Sequence, residues 1–242
     1  MRNIKLIIEY DGTNFAGWQI QPHHRTVQGT IEESIFQLLN EKVTLIGASR
    51  TDSGAHALGQ VANFKTNKKL KIESIKNGLN AFLPSEIFVH QIEEVPLDFH
   101  SRFSAKSRVY QYRILFHPSP LDQRYTAVIT YPLDLRKIQS ASKFLIGEHD
   151  FTSFSVAKID TEGRKCKIFK LKWKKGQDEL VLEIKANRFL QGMIRTIVGT
   201  MIEVGRGKIA ANKVKKILKA KDRRSAGPTA PPQGLCLVKI EY

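Results

Sequence analysis

The sequence predicts an α+β protein built from two pseudo-repeated halves, each reading β-α-β-β-α-β, whose strands form an extended and mainly antiparallel sheet. Three observations carry this. Period-two alternation opens each half, at residues 2–10 and 110–116. The apolar spacing then switches to helical period twice in each half. Basic residues recur in four separate segments, so the expected cleft between the halves is basic. The halves are placed at 1–105 and 106–242.

Element by element, residues 2–10 alternate as a strand and Asp11-Gly12 punctuates it. Thr26 has the side chain of an N-cap, opening a helix through about Asn40 with Val27, Ile31, Ile35, Leu38 and Leu39 as one apolar stripe. Apolar Val43 to Ile46 and Gln60 to Phe64 read as strand pieces on either side of a polar run, Ser49 to Ala57. A helix over 72–82 and a strand over 87–95 close the first half. The second half runs strand 110–116, helix 135–145, strands 168–174 and 180–185, helix 189–204, and final strand 235–241, with an extra helix over 210–220. The echo is one of element order, without a residue-by-residue repeat. The order in each half is that of a ferredoxin-like unit.

The 242 residues suffice for one large domain or two small ones, and 41% hydrophobic content excludes wholesale disorder. Lys and Arg number 39 against 23 Asp and Glu, so 39 − 23 gives +16, which points to a nucleic-acid or anionic-surface partner. The four basic segments are Arg102–Arg113, Arg164–Lys175, Arg188–Lys208 and Lys213–Arg224, and together they suit a surface that tracks phosphates. No apolar run approaches the roughly 20 residues of a membrane span. The N-terminus opens into a strand without a signal-peptide pattern, so a cytoplasmic protein is expected. Cys166 and Cys236 match no zinc spacing and read as free thiols, Cys236 packed in the last strand.

The run Ser49-Arg50-Thr51-Asp52-Ser53-Gly54-Ala55-His56-Ala57 places one acid beside one base in a loop held between ordered elements. Gly54 lets the backbone turn tightly there. Read alone, the run is equally a structural Arg-Asp turn. Three further segments are candidates to meet it. In Arg108-Val109-Tyr110-Gln111-Tyr112-Arg113 the alternation puts Tyr110 and Tyr112 on one strand face, where a ring can stack on a base or simply be half-buried. In the helix from Phe189, the columns Phe189, Met193, Ile197, Met201 and Leu190, Ile194, Val198, Ile202 surround Arg195 with apolar residues. A guanidinium in such a setting needs an anion, which motivates pairing with Asp52. The third segment, Ala226 to Leu235, is a rigid turn feeding the last strand.

These segments together resemble the tRNA pseudouridine synthase A family over nearly the full length. The matching residues are Glu9-Tyr10-Asp11-Gly12 with Phe15, Gly17, Trp18 and Gln19; Arg50-Thr51-Asp52; Phe99 to Ala105; Tyr110-x-Tyr112; Gly147-x-His149-Asp150-Phe151-Thr152-Ser153-Phe154; and the Arg195 helix. The resemblance implies that Asp52 is the catalytic aspartate, Arg50 the arginine that helps displace the target base, Tyr110 the active-site tyrosine and Arg195 the partner of the carboxylate. It also implies a homodimer acting on tRNA uridines 38, 39 and 40 in the anticodon stem-loop. The chain departs from the family's usual loop at Ser49, Ser53 and Ala55, where Gly, Ala and Val are typical.

The implied reaction breaks C1′–N1 of a uridine, rotates the bound uracil and joins C1′ to C5. Bonds are exchanged within one nucleotide, so no cofactor or metal is expected, in keeping with the lack of a phosphate-binding glycine loop, dinucleotide fingerprint or metal-ligand spacing. Asp52 can add to the base, attack C1′ or remove a sugar proton; the sequence leaves these open. His56 reads as structural, Asp11 as a turn residue, and His149-Asp150 as a brace for a helix end or loop. Three alternatives stand: a related synthase with another RNA target, a noncatalytic tRNA-binding or folding protein, and a metal-dependent nuclease, which would need clustered acids.

Overall fold

The structure is a computed structural model that describes residues 1–156 and 163–242. The chain divides into two compact units, Met1–Arg108 with Cys236–Tyr242, and Val109–Leu235. The α+β class and the mainly antiparallel pairing expected from the sequence are both present.

The first unit contains β1 (Arg2–Tyr10), α1 (Val27–Leu39), β2 (Ile46–Gly47), β3 (His56–Thr66), α2 (Ile72–Phe82), β4 (Ile87–Val95) and, from the end of the chain, all but the first residue of β10 (Leu235–Glu241). Its strands run in the order β4-β1-β3-β10, with β2 added to β3. β1 pairs antiparallel with β3 and β4, and β10 joins β3 in parallel through Cys236↔His56 and Leu237↔Ala57. The alternation of β1 puts Ile4, Leu6 and Ile8 fully inside, each side chain stabilising the fold by about 1.5–3 kcal/mol. Val27, Ile31 and Ile35 of α1 and Ile75 and Leu79 of α2 are buried as well.

Thr26 caps α1 as expected: its hydroxyl accepts the Gly29 N–H at 3.3 Å. Asn40 ends the helix with φ 47°, its N–H returned to the Phe36 carbonyl. Leu38 is less buried than the rest of the stripe and packs instead on Gly78 of α2, where an added Cβ would stand 2.5 Å from Cδ1 of Leu38.

The second unit contains β5 (Ser107–Leu115), which begins in the first unit, then β6 (Ala127–Val128), α3 (Leu135–Ser142), β7 (Gly147–Asp150), β8 (Lys165–Lys175), β9 (Glu179–Ala186), α4 (Met193–Gly205) and α5 (Lys213–Ala220). The strand order is β5-β9-β8-β7, with β6 parallel on β5. Met193, Ile197, Met201 and Val204 of α4 are buried, with Ile138 of α3, Trp173 of β8 and Leu182 of β9. The Trp173 indole is satisfied by Ser142 Oγ at 3.0 Å.

The expected helix from Phe189 starts four residues later. Gly192 adopts φ 67°, a left-handed conformation that an α-helix cannot contain. Phe189 and Leu190 therefore precede the helix, and Arg195 falls in its first turn. In α5 the apolar Val214, Ile217 and Leu218 are buried while Lys213, Lys215, Lys216 and Lys219 face solvent.

Candidate active site

The loop joining β2 to β3 runs from Ala48 to Ala55, since β3 already includes His56 and Ala57. Its entry is tied to the sheet, with the Ala48 N–H on the Val61 carbonyl at 2.8 Å. Arg108, only 7% exposed, donates from Nη2 to the Ala48 carbonyl at 3.2 Å. Gln60 is fully buried and takes the place of a strand backbone. Its Oε1 accepts the Ser49 N–H at 3.3 Å and its Nε2 donates to the Ser49 carbonyl at 2.6 Å.

Thr51 is held twice more. Its carbonyl accepts the Trp18 N–H at 3.2 Å, and its hydroxyl lies 2.7 Å from that of Tyr10. On the exit side Gly54, at φ 75°, donates to the Phe15 carbonyl at 3.3 Å. The Ala55 N–H closes a turn on the Asp52 carbonyl at 3.1 Å. Ala48 and Thr51 are buried, Arg50 is exposed and Asp52 is intermediate. The loop thus carries its two charged residues on a backbone fixed by buried and part-buried hydrogen bonds, which is how a rigid scaffold holds reacting groups in place.

Gly12 packs against the loop's last residue so closely that a Cβ on it would lie 1.9 Å from the Ala55 carbonyl oxygen. Its N–H donates to His56 Nδ1 at 3.1 Å, a nitrogen that is also 3.2 Å from Asp11 Oδ1. Asp11 accepts the Thr13 N–H at 2.9 Å, the pattern of an Asx turn. His56 is 5% exposed, on the strand that leaves the loop.

In the second unit, Tyr110 and Tyr112 share the buried face of β5 at 3% and 0% exposure. They differ in their contacts. Tyr110 meets the Phe189 ring edge-on at 5.3 Å, whereas Tyr112 donates its hydroxyl to the Pro231 carbonyl at 2.8 Å. Burial pushes the Tyr112 phenol well above the usual tyrosine range, with the Arg195 charge pulling weakly the other way. Arg195 and Ala230 form a reciprocal pair, Nε donating to the Ala230 carbonyl at 2.8 Å and the Ala230 N–H to the Arg195 carbonyl at 3.0 Å. Gly199 lets the 226–234 turn approach α4, since a Cβ there would sit 1.8 Å from the Pro228 carbonyl oxygen.

Asp52 and Arg50 therefore share one loop of the first unit, while Tyr110 and Arg195 belong to the second. The residues that hold the loop, Tyr10, Gln60 and Arg108, were not singled out for that role from sequence. One signal was legible: each is a polar group placed where the strand pattern points inward. His149 and Asp150 lie on β7, where Asp150 accepts the Thr152 N–H at 2.9 Å and its hydroxyl at 2.6 Å. Among the described residues no group of three or more His, Cys, Asp and Glu is arranged to hold a metal ion. No described helix is long and apolar enough to cross a membrane.

The family described as tRNA pseudouridine synthase matches this chain at residues 6–104 and 141–242. A "tRNA pseudouridine synthase A" of Thermoanaerobacter sp. is 46% identical over 100% of both chains. Its namesake in Exiguobacterium sp. is 43% identical, covering 100% of this chain and 98% of that one. Among solved structures, a chain of a Cbf5-Nop10-Gar1 complex is similar at a TM-score of 0.37 and 11% identity, over 96% of this chain and 57% of its own.

Proposed function

Because the chain belongs to the tRNA pseudouridine synthase family and is thereby an isomerase of tRNA uridine, we propose that it modifies positions 38, 39 and 40 of the anticodon stem-loop with Asp52 as catalytic carboxylate. Arg50, Tyr110 and Arg195 bind the substrate in this reading. The observation that carries it is the Asp52 loop, pinned at Ser49, Thr51 and Gly54 while Asp52 itself is partly exposed.

The chemistry needs a nucleotide taken out of its stack, because C1′ and C5 must both be reached, at a cost of roughly a few kcal/mol. Arg50 holds the space left by the displaced base. The Asp52 carboxylate serves the glycosidic centre, C1′–N1 breaks, the uracil turns and C1′–C5 forms, and the proton that leaves C5 is balanced by one gained at N1. Tyr110 supports the uracil, and Arg195 supplies positive charge to the reaction. The N-terminal half, 1–105, thus brings the acid and the C-terminal half, 106–242, the tyrosine and second arginine. A cytoplasmic homodimer acting on one tRNA completes the proposal.

Single-turnover pseudouridine mapping on unmodified tRNA transcripts tests it, comparing wild type with Asp52→Asn and adding no cofactor. Modification confined to positions 38–40 and abolished in the variant is the expected result. Product at other positions refutes the site assignment, and substantial residual turnover in Asp52→Asn refutes the role of the carboxylate. Tight tRNA binding without product from wild type returns the protein to a binding function. Sedimentation of the free protein checks the dimer.

A further inference from the structure

Phe103 is 75% exposed, more than any other aromatic ring among the described residues. Single exposed apolar side chains are ordinary on a protein surface. The backbone that carries this one is not ordinary, because each residue around it is fastened. Ser101 is fully buried: its N–H donates to Asn63 Oδ1 at 2.9 Å, its hydroxyl to the Ile46 carbonyl, and its carbonyl accepts the Tyr242 hydroxyl at 2.8 Å. His100 Nδ1 accepts the N–H groups of Arg102 at 3.2 Å and of Phe103 itself at 3.3 Å. The Ser104 N–H returns to the His100 carbonyl at 2.9 Å. Arg108 donates to the carbonyls of Arg102 at 2.6 Å and Ala105 at 3.1 Å.

The segment thus displays a large apolar ring from a fixed position. Two neighbours dress it: the His100 ring, centroid to centroid 4.3 Å at 36°, and the Arg102 guanidinium, 5.5 Å from the ring centre. With both in place the ring remains three-quarters open. The same Arg108 guanidinium reaches the Ala48 carbonyl at 3.2 Å, and Ser101 reaches Ile46, so this platform and the Asp52 loop are braced by shared groups within one unit. An aromatic ring carried on a fixed backbone next to a guanidinium suits an unpaired nucleobase, which stacks on the ring while its phosphate takes the positive charge. The fixed backbone lowers the ordering cost that a mobile segment would incur on binding.

We propose that Phe103, backed by His100 and Arg102, is a stacking site for a nucleotide of the tRNA other than the one being isomerised. The proposal rests on the reading of the protein as a tRNA-modifying enzyme, and its failure is separable from the failure of that reading. Phe103→Ala, Phe103→Trp and wild type are compared in two assays: filter binding of an unmodified tRNA transcript, and steady-state pseudouridine formation on the same RNA. Stacking of one base corresponds to a loss of about tenfold or more in affinity on truncation.

The expected result is a Kd and KM raised about tenfold or more in Phe103→Ala, recovery in Phe103→Trp, kcat unchanged and an unaltered melting temperature. Equal Kd values for Phe103→Ala and wild type overturn the proposal. So does a loss that Trp fails to restore, or a defect confined to self-association in sedimentation, which identifies a protein contact instead. If wild type forms no pseudouridine, the functional reading fails, and the Kd comparison still decides whether Phe103 stacks on RNA.

Discussion

The hydroxyls of Tyr10 and Thr51 meet at 2.7 Å in a buried setting, joining the last residue of the first strand to the neighbour of the candidate catalytic aspartate. Tyr10 also lies against Trp18, ring centroids 6.1 Å apart, and Trp18 holds the Thr51 carbonyl through its N–H. Two residues of the N-terminal segment therefore grip one loop residue from both its side chain and its backbone.

Tyr10→Phe keeps the ring and removes the grip. We expect a loss of about 1 kcal/mol in folding free energy, measured by chemical denaturation. A several-fold fall in kcat with KM for tRNA unchanged should accompany it, since Asp52 is displaced while the RNA-binding surface is not. A KM effect with unchanged kcat would place Tyr10 in binding.

Gly12→Ala is expected to act on the same loop through space alone. Its added methyl would stand 1.9 Å from the Ala55 carbonyl oxygen, so backbone must move. The expected destabilisation is about 1–3 kcal/mol, with turnover reduced in the fraction that remains folded. Asn14→Ala, at an exposed position two residues on, serves as the control and should change neither.

Asp150 gives a pH prediction. Partial burial raises its pKa, but the Thr152 hydroxyl and N–H and the Lys221 ammonium outweigh that and hold it below the usual aspartate range. A depressed folded pKa means stability is fully present above the ordinary aspartate value and lost as pH falls through the folded one. Asp150→Asn weakens the hydrogen bonds to a charged acceptor and should cost about 1 kcal/mol at neutral pH, and the difference from wild type should shrink in acid. A difference that grows on acidification would reverse the assigned sign.

Burial pushes both thiols up to about 11, Cys166 inside β8 and Cys236 inside β10. The thiolate is the reactive form. At pH 8 a thiol-reactive reagent should label neither residue in the folded protein and both after unfolding. Rapid labelling of the native state, read by mass spectrometry, would contradict this.

Strands and helices that follow from local period were legible in the sequence, and so was the cap on the first helix, because Thr26 and the Val27, Ile31, Ile35 spacing act within a few residues of each other. The start of α4 was not, since Gly192 takes a left-handed turn inside an otherwise unbroken apolar pattern. The strand piece expected over Val43 to Ile46 shrinks to Ile46–Gly47, and Ala127–Val128 was hidden altogether: strands this short exist only because a longer strand supplies their hydrogen bonds.

The sequence by itself determined the α+β class, the basic character, the family and the candidate acid Asp52 in a glycine-containing turn. These depend on composition, on spacing and on motifs that are continuous in the chain. The tertiary structure alone decided that Cys236–Tyr242 pairs back onto β3 in the first unit, and that Tyr10, Gln60 and Arg108 fasten the loop around Asp52. A strand pattern says only that a polar residue points inward. Which backbone group it meets depends on register and on bulges such as the one between Ile8 and Tyr10, set when distant segments pack together.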